Sequence, residues 1–84
     1  MRVYIVLESI EHDEYNPTTD DKRVIGVYHN KADAISLVNA RYGNELEGRG
    51  LDESDGWTDH NGGYIRDPED ECELVWAIEP HEVY

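Results

Sequence analysis

The chain has few of the residues that cross-link small domains or carry positive charge. Cys72 is its only cysteine, so an intramolecular disulfide is excluded. A run of about 18 apolar residues and a charged-then-apolar signal segment are both missing, and we therefore expect a soluble, cytoplasmic protein. Lysine is limited to Lys22 and Lys31, whereas Asp and Glu number 20 and the formal net charge is −13. This sign of charge excludes nucleic acid and anionic membranes as direct partners.

The length of 84 residues predicts a single domain, residues 1–84, with one thin core. Apolar residues make up 38% of the chain, and they are gathered into periodic runs. Such clustering favours a folded domain over disorder despite the charge.

Three segments have the apolar alternation of β-strands. The first spans about residues 2–10 and the second about residues 22–29, where Gly26 predicts a bulge or a close backbone approach. The third spans about residues 72–79, ends at Pro80, and is expected to be central or nearly central in a sheet. The polar residues 11–21 predict a long turn between the first two strands.

One helix is predicted over about residues 31–42, with Asn30 as its N-cap and Gly43 as its C-terminal stop. Apolar residues recur in it at three- and four-residue spacing and predict a stripe that packs on the sheet: Ala34, Ile35, Val38 and Tyr42.

The segment of about residues 44–71 has no clear period and reads as a long acidic loop before the last strand. A loop of this length in a small domain is functional or contains an unrecognised element. Asn61-Gly62 lies between Trp57 and the Tyr64-Ile65 pair, which indicates a small additional hairpin.

The element order favours an α+β fold, in which one helix packs on one face of a three- to four-stranded antiparallel sheet. We expect the other face to present Tyr4, Tyr28 and one of the two tryptophans as a partly apolar surface. That surface either packs against the acidic loop or meets a partner.

No pattern of catalytic or metal-binding residues stands out. Cys72 is in phase with Leu74 and Trp76, as a buried structural cysteine would be. The four histidines lack the spacing of a zinc site. Residues 51–62, aligned with Gly56 at the tight turn, do not match a calcium loop, because Leu51 and Gly62 stand where the first and last ligands are needed. We therefore expect no enzyme activity, no metal and no cofactor.

The acids are concentrated between Glu45 and Glu73, where eleven of them face only Arg49 and Arg66. If this segment covers on the order of 1,000 Å², it carries roughly one net charge per 110 Å². Duplex DNA has a comparable surface charge density, because it carries one charge per ~1.7 Å of axis on a cylinder of about 10 Å radius. Imitation of a phosphate backbone is therefore physically feasible.

The opening Val3-Tyr4-Ile5-Val6, followed by Arg23-Val24-Ile25-Gly26-Val27-Tyr28-His29-Asn30-Lys31-Ala32-Asp33-Ala34, resembles a set of small prokaryotic and phage domains of unknown function. The resemblance covers the first half of the chain and implies a strand, strand, helix order without an activity. In size and acidity, the whole chain looks like phage-encoded inhibitors of host defence, including anti-CRISPR proteins and other DNA mimics. This second likeness is one of composition alone.

The leading interpretation is a small acidic, non-enzymatic binding protein, plausibly a phage-type inhibitor. It would occupy a basic nucleic-acid-binding surface of another protein, in the host cytoplasm if the chain is phage-encoded. Trp57 is the expected anchor, and the expected contact residues are Asp52, Glu53, Asp55, Trp57, Asp59, Asp67, Glu69, Asp70 and Glu71.

Three alternatives remain open at this point. In the first, the chain is a salt-adapted small domain whose acidity serves general solvation of the surface. In the second, it is a small enzyme or metal-binding protein that uses Asp52, Asp55, Asp59 and His60. In the third, it is a ligand-free housekeeping domain. A homodimer is also left open.

Overall fold

The computed structural model describes residues 1–12 and 22–83, except for the side chain of His12. Residues 13–21, which form most of the predicted long turn, lie outside the described part. The elements in chain order are β1 (Arg2–His12), β2 (Arg23–Tyr28), α1 (Lys31–Arg49), a 3₁₀ helix (Glu53–Asp55), β3 (Gly56–Asp59), β4 (Gly62–Asp67) and β5 (Cys72–Glu82).

The described strands form one antiparallel sheet in the order β2-β1-β5-β4-β3. The α+β class with a single described helix is confirmed, and the sheet has five strands where three to four were expected. The difference comes from the hairpin of β3 and β4, which the Asn-Gly signal indicated within the acidic segment. β5 is the middle strand, as predicted.

α1 is roughly two turns longer than predicted, because Gly43 does not stop it. A glycine costs about 1 kcal/mol inside a helix, and here Leu46 continues the apolar stripe into the core one turn further on. The actual stop is Gly50, whose φ of 67° is left-handed. Leu51 N–H donates to the Leu46 carbonyl at 2.9 Å, which closes a Schellman-type cap.

Asn30 occupies the N-cap position as predicted, but its side chain makes no capping hydrogen bond. Its backbone carbonyl instead accepts from the N–H groups of Asp33 and Ala34.

The core lies between α1 and one face of the sheet. The buried apolar residues described there are Val6, Ala34, Val38, Leu46, Ile65, Cys72, Leu74, Trp76 and Ile78. Cys72 is therefore a buried core residue, in phase with Leu74 and Trp76. Burial raises the pKa of its thiol, which leaves it a weak nucleophile at neutral pH.

The predicted bulge occurs in β2. Val6 pairs with Gly26 and Leu7 pairs with Val24, so Ile25 is the extra residue. An edge strand interrupted in this way is a poor template for pairing with another chain.

β5 runs through Pro80 to Glu82, beyond its predicted end. Its pairing with β4 ends at Ala77, so on that side Pro80 has no neighbouring strand to which an N–H would donate. On its other side, β5 continues to pair with β1, and Pro80 lies opposite Tyr4. This is the edge-like position in which a sheet tolerates proline.

The sheet face away from α1, here called the open face, has no described element packed on it. Its apolar residues are Val3, Ile5, Leu7, Val24, Val27, Trp57, Tyr64, Val75 and Ala77. The prediction that Tyr4 and Tyr28 lie on this face is wrong: they pair with each other and pack against the core. Of the two tryptophans, Trp57 lies on the open face and Trp76 on the helix side.

Candidate functional site

One end of the molecule gathers most of the acids of the second half. The β3–β4 pairing starts at Gly56 and Ile65, and the β4–β5 pairing ends at Asp67 and Cys72. The chain therefore enters β3 and leaves β4 at the same end of the sheet. The end of α1 is held there too, because Arg49 Nη1 lies 2.8 Å from an Asp67 carboxylate oxygen. We call residues 45–55 and 66–73 the acidic end.

The 3₁₀ helix at the acidic end is fixed by its own carboxylates. Asp52 accepts from Ser54 N–H at 2.9 Å, and Asp55 accepts from Asp52 N–H at 3.1 Å, which together form a capping box. The hydrogen bond from the Ser54 hydroxyl is the largest cause that lowers the pKa of Asp52. Glu53 lies between Asp52 and Asp55 in the sequence, and its side chain is exposed.

The β4–β5 turn is organised by Asp67. One of its carboxylate oxygens accepts from Glu69 N–H at 3.0 Å and Asp70 N–H at 3.3 Å, and the other binds Arg49. The Arg49 guanidinium is the main cause of the lowered pKa of Asp67. Glu71 ends the turn with a φ of 49°, a left-handed conformation that favours glycine.

Charge at the acidic end is strongly one-sided. Ten of the eleven acids between residues 45 and 73 are there, with two arginines. Both arginines are already paired: Arg49 with Glu45, Asp67 and Asp70, and Arg66 with Glu73. Six of the carboxylate side chains are exposed to solvent: Glu47, Asp52, Glu53, Glu69, Asp70 and Glu71.

The negative field of the 3₁₀ helix reaches the buried side of α1. The pKa of Tyr42 is raised, first by burial and then by the nearby charges of Glu53, Asp52 and Asp55. The ring of Tyr42 packs edge-on against Trp76, with the ring centroids 6.4 Å apart. The acidic end is thus backed by packed core.

The residues proposed from sequence as partner contacts fall into four places. Asp52 caps the 3₁₀ helix that contains Glu53 and Asp55, and Glu69, Asp70 and Glu71 lie on the β4–β5 turn, so six of them share the acidic end. Asp67 is also at this end but is only 3% exposed and is paired, so it cannot serve as a surface contact.

Asp59 and Trp57 lie elsewhere. Asp59 is at the other end of β3, where it accepts from Asn61 N–H at 2.8 Å. Trp57 is on the open face, 53% exposed, with its ring stacked on Tyr64 at a centroid distance of 6.1 Å.

The set Asp52, Asp55, Asp59 and His60 considered from sequence for metal or catalytic chemistry is not brought together. Asp55 directly precedes β3 and Asp59 is its last residue, a separation of about 13 Å at the rise of a strand.

A different trio, Asp67, Asp70 and Cys72, has ligand atoms within 4.8 Å of one another. The Arg49 guanidinium occupies this space, with Nη1 2.8 Å and 3.0 Å from the two carboxylates and 3.7 Å from Cys72 Sγ. A metal ion would therefore have to displace an arginine that already neutralises the site.

The sequence reasoning missed Glu8, which is 3% exposed on the helix side of β1. It accepts from Arg41 Nε and Nη2, each at 2.9 Å, from Trp76 Nε1 at 2.9 Å and from Arg23 Nη2 at 3.2 Å. The signal was an acid in phase with Tyr4, Val6 and Ile10 on an otherwise apolar strand face. Both carboxylate oxygens of Glu8 are therefore used in hydrogen bonds within the fold. These bonds join β1 to β2, β5 and α1, so Glu8 is a structural residue.

Comparison with protein-family models, with curated proteins and with solved structures finds no match. No helix among the described residues has both the length and the apolar character needed to cross a membrane.

Proposed function

We propose that the chain is a small, acidic, non-enzymatic binding protein that inhibits a nucleic-acid-binding protein by occupying its basic surface. Such action would be that of a phage-encoded DNA mimic or anti-CRISPR inhibitor. The observation that carries the proposal is the placement of ten carboxylates at one end of the fold, with both local arginines engaged internally.

The proposed contact surface consists of the exposed carboxylates of the acidic end: Asp52, Glu53, Glu69, Asp70 and Glu71, with Asp55 half-buried behind them. Lysine and arginine side chains that normally bind phosphates would meet carboxylate oxygens instead. Charge of this kind accelerates encounter and selects basic partners, and its effect weakens with added salt.

The conformation of Glu71 supports a role for that carboxylate beyond the fold. Its φ of 49° costs a non-glycine residue on the order of 1 kcal/mol, and glycine would remove the cost. Glutamate therefore places a carboxylate at this position at a conformational cost that glycine would avoid.

The test is displacement of DNA. Proteins from the cell in which the chain acts are bound to DNA-cellulose and then eluted with the wild-type chain at low salt. We expect a defined protein to be released, because the acidic end competes for the surface that holds the DNA.

The informative variant is Glu53→Lys/Glu69→Lys/Glu71→Lys, since these side chains are exposed and Asp52 is avoided as a helix cap. Its matched control, Asp33→Lys/Glu79→Lys/Glu82→Lys, makes the same charge change at the opposite end. The proposal requires release by the wild type and the control, and none by the first variant. Equal release by both triple variants, or by neither, would refute it.

Salt adaptation is the second candidate function, because acids also occur away from the acidic end. Asp33, Asp59, Glu79 and Glu82 lie towards the other end of the sheet and helix. A salt-adapted domain would lose much of its stability at low salt, whereas the proposed inhibitor would stay folded.

A further inference from the structure

No described element packs on the open face, and the middle of that face is apolar. Val24 and Val27 are each 56% exposed and Trp57 is 53% exposed. Ile5, Leu7, Val75 and Ala77 lie between these edges on the middle strands, and each is half-buried.

Only the open face as a whole, with its polar residues included, approaches the size that a dimer interface requires. Five strands about 4.8 Å apart and about seven residues long cover a flat projection of roughly 550 Å². The accessible surface of projecting side chains exceeds such a projection, and a standard interface buries about 800 Å² on each partner. The whole open face would therefore be needed.

We propose that the open face packs against the open face of a second copy of this chain, giving a two-fold symmetric dimer. The helix side of the sheet is already covered by α1, so pairing would place two sheets back to back between two outer helices. Aligned packing of two antiparallel sheets at about 10 Å is a common way to bury such faces.

Electrostatics selects between the two ways of aligning the copies. A two-fold axis parallel to the strands would bring both acidic ends to the same end of the dimer. An axis across the strands places them at opposite ends, beyond the Debye length of about 8 Å at physiological salt. The second arrangement has the lower repulsion and leaves each acidic end free.

The inference does not rest on the proposed function, because it concerns a different surface. Self-association and binding to a basic partner also respond to added salt in opposite directions. Added salt screens the repulsion between two chains of net charge −13 and strengthens self-association, while it weakens binding to a basic partner.

The test is sedimentation equilibrium over a roughly hundredfold range of concentration, at about 0.1 M and about 1 M NaCl. We expect reversible formation of a species of twice the 9.7 kDa chain mass, with a lower Kd at the higher salt. A chain that stays monomeric at both salts, or that forms an open series of larger species, would overturn the proposal.

The interface is assigned with Val24→Lys/Val27→Lys, compared with Ala32→Lys/Asn39→Lys on the exposed side of α1. Both variants add two positive charges, so charge alone predicts the same effect for each. We expect the first to weaken the dimer at least about tenfold and the second to leave it intact or strengthen it.

Circular dichroism checks that both Lys variants are folded. Val27→Thr provides a milder change that keeps the side-chain shape and strand preference, and we expect it to give an intermediate Kd. Equal weakening by both Lys variants would place the contact elsewhere and overturn the assignment.

Discussion

The buried carboxylate of Glu8 offers the sharpest test of how this thin core is held together. Glu8→Gln keeps the size and shape of the side chain and removes the charge that Arg41 and Arg23 share. Hydrogen bonds to a charged group contribute about 1.5–3 kcal/mol, and removal of one partner from a buried pair costs about 3–5 kcal/mol.

The Arg41 side chain is 37% exposed and can regain part of its hydration, so the lower part of this range applies. We expect Glu8→Gln to lower the free energy of unfolding by about 2–3 kcal/mol at pH 7, which corresponds to a fall in Tm of roughly 8–24 °C for a domain of this size. Glu11→Gln, an exposed change on the same strand, is the control and should stay within about 0.5 kcal/mol.

The pH dependence of the free energy of unfolding gives a second test of the Glu8 ion pairs. Burial by itself would raise the pKa of Glu8, but the hydrogen bonds from Arg41, Trp76 and Arg23 outweigh it and the pKa is lowered. A lowered carboxyl pKa contributes stability above the unfolded pKa of about 4.3, and this is lost as pH falls through the folded value.

Urea unfolding at several pH values measures both quantities. The difference between the wild type and Glu8→Gln should be largest near neutral pH and shrink as the pH falls below about 4. A Glu8→Gln variant as stable as the wild type at pH 7, or a difference that does not change with pH, would refute the ion-pair account.

Four further substitutions test separate parts of the structure by thermal or urea unfolding. Gly62→Ala should destabilise the fold strongly, because an added Cβ would lie 2.0 Å from the Trp76 carbonyl oxygen. Gly43→Ala, whose added Cβ would have nothing within 4 Å, should stabilise α1 by up to about 1 kcal/mol. Equal effects of the two substitutions on stability would contradict the close approach of β4 to β5. Arg49→Met should lower the Tm at neutral pH, and less so in acid, because the lowered pKa of Asp67 means that its pairing is lost as pH falls; an unchanged Tm would show that the pairing adds no stability. Glu71→Gly should raise the Tm and slow association with the basic partner; a lower Tm would contradict the strain assigned to that position.

The fold could be predicted in outline because local patterns and packing agree in most segments. β1, β2 and β5 contain apolar runs rich in β-branched and aromatic residues, and the hairpin is signalled by Asn61-Gly62. The length of α1 could not be read from Gly43, since a helix continues through a glycine when later residues pack well enough to offset its cost. Leu46 packs into the core and Gly50 provides the left-handed cap, both beyond the expected end.

The faces of the sheet were harder to predict than its strands. Tyr4 and Tyr28 have a polar hydroxyl and a large apolar ring, and the sequence alone does not decide which side of the sheet they take. The extra residue Ile25 in the β2 bulge also changes the alternation between Val24 and Gly26. Here register, which depends on pairing over the whole sheet, determines the faces.

The grouping of the acids was predictable in part. Asp52, Glu53 and Asp55 are distant in sequence from Glu69, Asp70 and Glu71, and only the β3–β4 hairpin brings both groups to one end. Asp59 lies on the same segment but at the far end of that hairpin. The pairing of Asp67 with Arg49 depends on where α1 ends, which was not predicted.

The central claim is that the acidic end is the surface to which a basic partner binds. NMR titration of the ¹⁵N-labelled chain with a short oligolysine peptide tests it directly. We predict that amide shifts concentrate on residues 45–55 and 66–73 and disappear as salt is added. Shifts of similar size around Asp33, Glu79 and Glu82 would contradict the claim, since they would show an anionic surface without a preferred site.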